Sequence, residues 1–318
     1  MNKYILSVLS LLSTTCSIAQ SIDFHRIDST INAEIIQNNI AGGVALIAKE
    51  GKILHHKAYG FSNIEARAKM QENAIFRIAS QTKAIVSVAV LQLVEQGRIQ
   101  LDDPIEMYFP AFANQKVYLK QADSIILVEK TRSVTIRDLL THQSGISSAD
   151  EYPYWQKEFI KYGLNNNGFM RYPDLQSEIV QIAKMPLVHQ PGARFSYGLS
   201  TNVLGGLIEL ITKQSLSNFL EDNIFKPLGM KDTYFYLPNT KKNLLVEVYI
   251  KQDNKLIPVD RTKMPVDYPL MENSNYFSAI GGLVSTTYDY FLFLNHLLNP
   301  SSANGSFRLL QPETMNQL

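Results

Sequence analysis

Cysteine and tryptophan are almost missing from this sequence: Cys16 and Trp155 are the single examples of each among 318 residues. One thiol cannot close an intramolecular disulfide, so packing has to hold the fold. Neither sign of charge dominates, with 30 basic against 29 acidic residues and a formal net charge of +1. There is no Lys/Arg-rich run, which argues against nucleic acid and anionic membrane surfaces as partners. Past the N-terminus no apolar run reaches the length of a transmembrane helix, so no membrane anchor is expected. Signatures of two enzyme classes are also absent. No serine stands in a Gly-x-Ser-x-Gly elbow, and His25, His55, His56, His142, His189 and His296 show no metal-ligand spacing such as His-Glu-x-x-His. His55 and His56 fall in a strand-like run, where neighbours point to opposite faces and do not easily share an ion.

What is present describes a globular protein: 45% hydrophobic and 19% charged residues, with 16 Gly and 13 Pro. The first residues combine a basic start at Lys3, an apolar stretch from Tyr4 to Leu12, and small residues at Ser17 and Ala19. This is the pattern of a secretory signal over residues 1–19 with cleavage before Gln20, and it predicts an exported, periplasmic or secreted protein. Ser13, Thr14 and Thr15 make a poor lipid-attachment context for Cys16. Removal of the segment leaves a mature chain, residues 20–318, with no thiol.

Along that chain, helical spacing predicts a first helix from about Ile22 to Asn38. Two β-rich runs, Val44–Lys49 and Lys52–Tyr59, flank Glu50-Gly51 and predict a hairpin. From Ser80 to Gln96 the pattern is helical and apolar on most sides, so the helix should be buried centrally and stop at Gly97. A Pro-punctuated stretch, LDDPIEMYFPAF, follows. A β excursion, VYLKQADSIILVEKT, precedes a short helix in VTIRDLLTHQSGI. Two further helices are predicted within STNVLGGLIELITKQSLSNFLEDNIFKPLGM, stopping near Pro227-Leu228-Gly229. These elements predict an α+β fold in which early strands join a sheet and residues 79–274 are mainly helical.

Ser80 and Lys83 stand three residues apart at the start of the central helix, so their side chains share a face. The first turn of a helix concentrates unpaired N–H groups and the positive end of the dipole. Burial and the dipole both disfavour an ammonium there, pushing Lys83 toward a neutral amine able to accept a proton. The same N–H groups can stabilise an oxyanion formed when the Ser80 hydroxyl attacks a carbonyl. A plainer reading stays open on these residues alone: Ser80 as a cap and Lys83 as a first-turn surface residue.

At these residues the chain resembles the serine β-lactamase and penicillin-binding-protein superfamily, in its class C-like branch. The resemblance runs from roughly Ile22 to the end through six segments in order: FRIASQTK, LDDPIEMYFP, VTIRDLLTHQSGI, QPGARFSYGLSTNVLGGLIE, IFKPLGMKDTYF and AIGGLVSTTYDYFLFLNHLL. It implies a β-lactamase/transpeptidase-like fold, an antiparallel sheet flanked by helices with a mainly helical subdomain. It also implies a cofactor-free serine hydrolase working through an acyl-enzyme. Carried over residue by residue, Ser80 matches the acylated nucleophile, Lys83 its partner base, and Tyr197 the tyrosine that relays a proton to the leaving group.

Two departures qualify the resemblance. The tyrosine motif of β-lactamases usually carries Asn two residues on, where this chain has Leu199. The lost amide and the YGLST context resemble the family's esterases, so an ester is the favoured small-molecule substrate over an amide, a β-lactam or a cell-wall peptide. The family's third motif, Lys-Thr-Gly or His-x-Gly, also has no counterpart before Leu318, which predicts a C-terminally incomplete chain lacking its last sheet strands. A non-catalytic sensor or binding module therefore stands as the alternative. The aromatic segment with Tyr152, Tyr154, Trp155, Phe159 and Tyr162 is a candidate cleft wall, or simply packing. His142 is expected to be a structural hydrogen-bonding residue. The oligomeric state is left open.

Overall fold

The computed structural model describes residues 23–121, 124–148, 160–161, 172–260, 268–270, 274–299 and 307–315. The expected signal segment, residues 1–19, lies outside these, as do Tyr152, Tyr154, Trp155, Phe159 and Tyr162. Helix α1 (His25–Ile36) is shorter at both ends than its periodicity predicts. Strands β1 (Gly42–Lys49) and β2 (Lys52–Asn63) pair antiparallel across a turn in which Glu50 and Gly51 have φ of 51° and 76°. Two successive positive φ angles are what a two-residue hairpin needs. The short β3 (Ala68–Lys69) adds to the other edge of β2. Asp28 of α1 accepts hydrogen bonds from the Tyr59 hydroxyl and the Lys57 ammonium, which ties the helix to β2. His55 lies against Phe24 and His56 against Tyr288, on opposite faces of β2.

Strand β4 (Ile75–Arg77) leads into a single 3-10 turn, Ala79–Gln81, and then into α2 (Thr82–Glu95). The α-helix therefore begins two residues after Ser80, which occupies the 3-10 turn. Nine of the 14 residues of α2 are buried, as expected of a helix apolar on most sides, and the chain leaves it at Gly97 with φ of 66°. Each fully buried Val, Ile or Leu there contributes about 1.5–3 kcal/mol. Helix α3 (Ile136–Leu140) starts at a reciprocal capping box formed by Thr135 and Asp138. Helix α4 (Leu175–Lys184) buries Leu175, Ile179 and Ile182 along one face. Helix α5 (Ser200–Thr212) packs against α2, α3 and α4. It is followed by α6 (Leu216–Leu220), a π-helical turn over Glu221–Phe225, and α7 (Lys226–Leu228).

Two hairpins interrupt the helical stretch. Strands β5 (Lys116–Gln121) and β6 (Ser124–Glu129) form the β excursion expected before α3, and β7 (Tyr249–Gln252) and β8 (Lys255–Pro258) form the second. Strand β9 (Val284–Thr286) then returns to pair antiparallel with β4, placing Ile75 opposite Thr286 and Arg77 opposite Val284. Thr286 caps α8 (Thr287–Leu298), and α9 (Pro312–Met315) is the last described element. The arrangement is α+β, with antiparallel strands flanked by helices. The pairing of β4 with β9 brings the segment around residue 280 against the start of α2.

Helix α5 approaches that segment so closely that a Cβ built on Gly205 would lie 2.6 Å from the Ala279 Cβ. Gly205→Ala improves helix propensity by about 1 kcal/mol, but the new methyl has to push two packed elements apart, and overpacking costs about 1–3 kcal/mol. The substitution is expected to lower both Tm and the urea midpoint, and a rise in either refutes the close-packing account.

Candidate active site

Ala79 has a φ of 45°, a left-handed conformation seldom taken by a residue with a Cβ. It turns the chain just ahead of Ser80, which is exposed at the mouth of α2. Lys83 follows on the same face and is half-buried. Its Nζ lies 3.2 Å from Ser80 Oγ and donates to the Ile280 carbonyl at 2.6 Å. Tyr197 arrives from the loop before α5, and its hydroxyl lies 2.6 Å from Ser80 Oγ. Lys83 Nζ also sits 4.6 Å from the centre of the Tyr197 ring. The three residues singled out in the sequence therefore meet around one hydroxyl.

Local contacts hold each of them in place. The Ile78 N–H donates to the Leu283 carbonyl at 3.1 Å, and the Leu283 N–H donates to Thr82 Oγ1 at 3.1 Å, so the 280–283 segment is laced to the turn bearing Ser80. A Cβ on Gly198 would lie 2.3 Å from the Ser147 carbonyl carbon, so the residue after Tyr197 has to be glycine for the loop to seat here. Leu199 is buried and lines a small internal cavity with Ile146, Met185 and Val188. Phe195 is 61% exposed beside the site and meets the His142 ring edge-on at 5.7 Å.

Burial pushes the Lys83 amine below its ordinary value of 10.5, against an opposing pull from the Tyr197 hydroxyl. Burial would raise the Tyr197 phenol, but its hydrogen bonds with Lys83 and Ser80 and the Lys83 charge outweigh that and leave it below 10.0. Both groups therefore give up a proton more readily than they would in water. Among the described residues there is no cluster of His, Cys, Asp and Glu that could hold a metal ion, and no helix long and apolar enough to cross a membrane.

His142 departs from its expected hydrogen-bonding role. Its backbone carbonyl accepts from the Ser196 N–H at 2.8 Å, but its Nδ1 is buried without a partner among the described residues. The ring packs 4.9 Å from the Tyr197 ring instead. Ile280 lies within the segment AIGGLVSTTYDYFLFLNHLL, but nothing in its residue type signalled this contact, because it acts through a carbonyl that every residue carries. Burial first, and the Lys83 charge second, bring the His142 imidazole down from 6.5 to about 4. Stability owed to His142 is thus complete above pH 6.5 and is lost as pH falls toward 4, since protonation favours the unfolded chain. By NMR the ring should be neutral at pH 7, and Lys83→Met should raise its titration point part of the way. A His142 that titrates at its ordinary value overturns this placement.

The Beta-lactamase family profile matches residues 27–318. The chain is 31% identical over 278 residues to Protein Rv1367c of Mycobacterium tuberculosis, covering 87% of this chain and 66% of that protein. It is 34% identical over 215 residues to Esterase EstB of Burkholderia gladioli, covering 66% of this chain and 51% of the esterase. It therefore spans between about half and two thirds of the length of these curated relatives. The solved structure of EstCE1, a hydrolase with promiscuous acyltransferase activity, shares the fold with a TM-score of 0.75. That likeness extends over 92% of this chain and 75% of EstCE1 at 23% sequence identity. Matched over nearly its whole length, and folded as antiparallel strands flanked by helices, this chain belongs to the Beta-lactamase family.

Proposed function

We propose that the chain acts as an exported serine hydrolase that cleaves an ester, or less readily an amide, through an acyl-enzyme on Ser80. The observation that carries this reading is the pair of contacts to one exposed hydroxyl: Tyr197 at 2.6 Å and Lys83 at 3.2 Å from Ser80 Oγ. In the proposed cycle Lys83, assisted by Tyr197, takes the Ser80 proton as Oγ attacks the carbonyl carbon. The tetrahedral oxyanion rests against backbone N–H groups at the helix start. Tyr197 returns a proton to the leaving oxygen or nitrogen, the C–O or C–N bond breaks, and the acyl group stays on Ser80. Water, deprotonated by the same base, then attacks the acyl carbon and releases the acid and the free serine. The cycle calls on no metal or organic cofactor.

The buried apolar Leu199 and the esterase among the relatives support ester over β-lactam or cell-wall peptide. The signal-like pattern of residues 1–19 supports export.

A fluorophosphonate probe followed by intact-mass analysis is expected to add one phosphonyl group to the wild-type chain and none to Ser80→Ala. Unlabelled, folded wild type would move the chain to the binding-module reading. Because the base has to be a neutral amine and burial lowers Lys83, the labelling rate should rise with pH through a midpoint below 10.5, and Lys83→Met should abolish that rise. Short-chain p-nitrophenyl esters should be cleaved faster than nitrocefin, and the reverse order refutes the ester preference.

A further inference from the structure

Glu178 on α4 is 2% exposed, and the groups facing its carboxyl are the neutral side chains of Tyr276 and Asn202. The Tyr276 hydroxyl and the Asn202 Nδ2 each donate to the same oxygen, Glu178 Oε2, at 2.8 Å. Asn202 lies in the first turns of α5 and is fully buried. Its other amide atom, Oδ1, accepts from the Ile280 backbone N–H at 3.1 Å. With a carboxyl oxygen on one side and an N–H on the other, this amide orientation satisfies both partners. The Ile280 carbonyl then accepts from Lys83 Nζ at 2.6 Å. A continuous series of hydrogen bonds thus runs from the helical interior through Asn202 and the Ile280 backbone to the amine beside Ser80.

A carboxyl buried without a cation is costly, and apolar residues of similar size would usually pack there at no loss. Buried polar networks that are satisfied instead rigidify the groups they join. A lysine needs such help, because its amine sits at the end of a flexible four-carbon stem. A neutral amine has two N–H groups and one lone pair, so committing one N–H to the Ile280 carbonyl restricts where the lone pair can point.

We propose that Glu178, Asn202 and Tyr276 act as positioning residues, fixing the Ile280 backbone and through it holding Lys83 Nζ in proton-transfer geometry with Ser80. The proposal rests on the reading of Ser80 as an acylated nucleophile with Lys83 as its base. Burial supports the cost argument, since it pushes the Glu178 carboxyl up to about 7 despite two hydrogen bonds that pull it back. The titratable groups facing Lys83 are Tyr197 and His142, and both are unchanged in the variants below.

The test is the second-order rate of fluorophosphonate labelling at Ser80, measured against pH in the purified chain, with near-ultraviolet circular dichroism as the check on folding. Asn202→Leu removes the anchor of the Ile280 N–H and should slow labelling about tenfold or more. Its pH midpoint should move down, because a displaced Ile280 carbonyl no longer steadies the ammonium. Tyr276→Phe removes one hydroxyl, keeps the ring, and serves if Asn202→Leu does not fold. It should slow labelling about fivefold with the same direction of midpoint shift. Glu178→Gln keeps an acceptor for both donors and should stay within about threefold of wild type. Folded Asn202→Leu or Tyr276→Phe chains that label at the wild-type rate and midpoint overturn the positioning role alone. A wild-type chain that is not labelled at Ser80 overturns the underlying nucleophile reading and this proposal with it.

Discussion

A lysine amine proposed as the base beside a serine has to be kept from full hydration and held still, and the surroundings of Lys83 meet both demands. Lys83 is half-buried at the start of a helix that has nine of 14 residues in the core. The same burial that lowers its proton affinity removes water that would otherwise satisfy its N–H groups. The Ile280 carbonyl replaces that water at 2.6 Å. Displacing Ile280 would leave the amine with a choice between rehydration and misalignment. Either would weaken its contact with Ser80 Oγ.

Holding Ile280 is in turn the business of elements far apart in the chain. Strand β4 runs into the Ser80 turn and β9 runs out of the Ile280 segment, so their antiparallel pairing sets the spacing between Ser80 and Ile280. Thr82 contributes a buried hydroxyl that accepts from the Leu283 N–H, a polar contact in a helix whose buried residues are mostly apolar. Gly205 lets α5 come within contact of Ala279 from the other side. Polar groups buried here are costly singly, and Thr82, Asn202 and Glu178 are each paired, whereas His142 Nδ1 is not.

Position 199 shows how a family motif and its physical setting can part ways. The sequence places Leu where the resemblance would lead one to look for an amide, and the side chain is buried beside Ile146, Met185 and Val188. An amide does occur three residues later, in Asn202, but it faces Glu178 and the Ile280 N–H within the core and not the exposed Ser80 hydroxyl. His142 follows a similar logic: its ring packs on Tyr197, and burial together with the Lys83 charge keeps it neutral.

Patterns local in the chain were legible from the residues alone. The Glu50-Gly51 hairpin, the all-round apolar α2 with its stop at Gly97, the β5–β6 excursion and the pairing of Ser80 with Lys83 all follow from steric rules that act over a few residues. The boundary of α2 was misplaced because a 3-10 turn and an α-turn differ by one hydrogen-bond partner, which residue type does not encode. Tyr197 was legible through resemblance to a family motif, since nothing in composition separates it from the other 15 tyrosines. Only the tertiary structure could decide that Ile280 anchors Lys83, that Asn202 and Glu178 stand behind it, and that Leu199 turns inward. Those contacts join residues 24 to 197 positions apart, so the packing of β4 on β9 and of α5 on its neighbouring helices creates them, and no local pattern can.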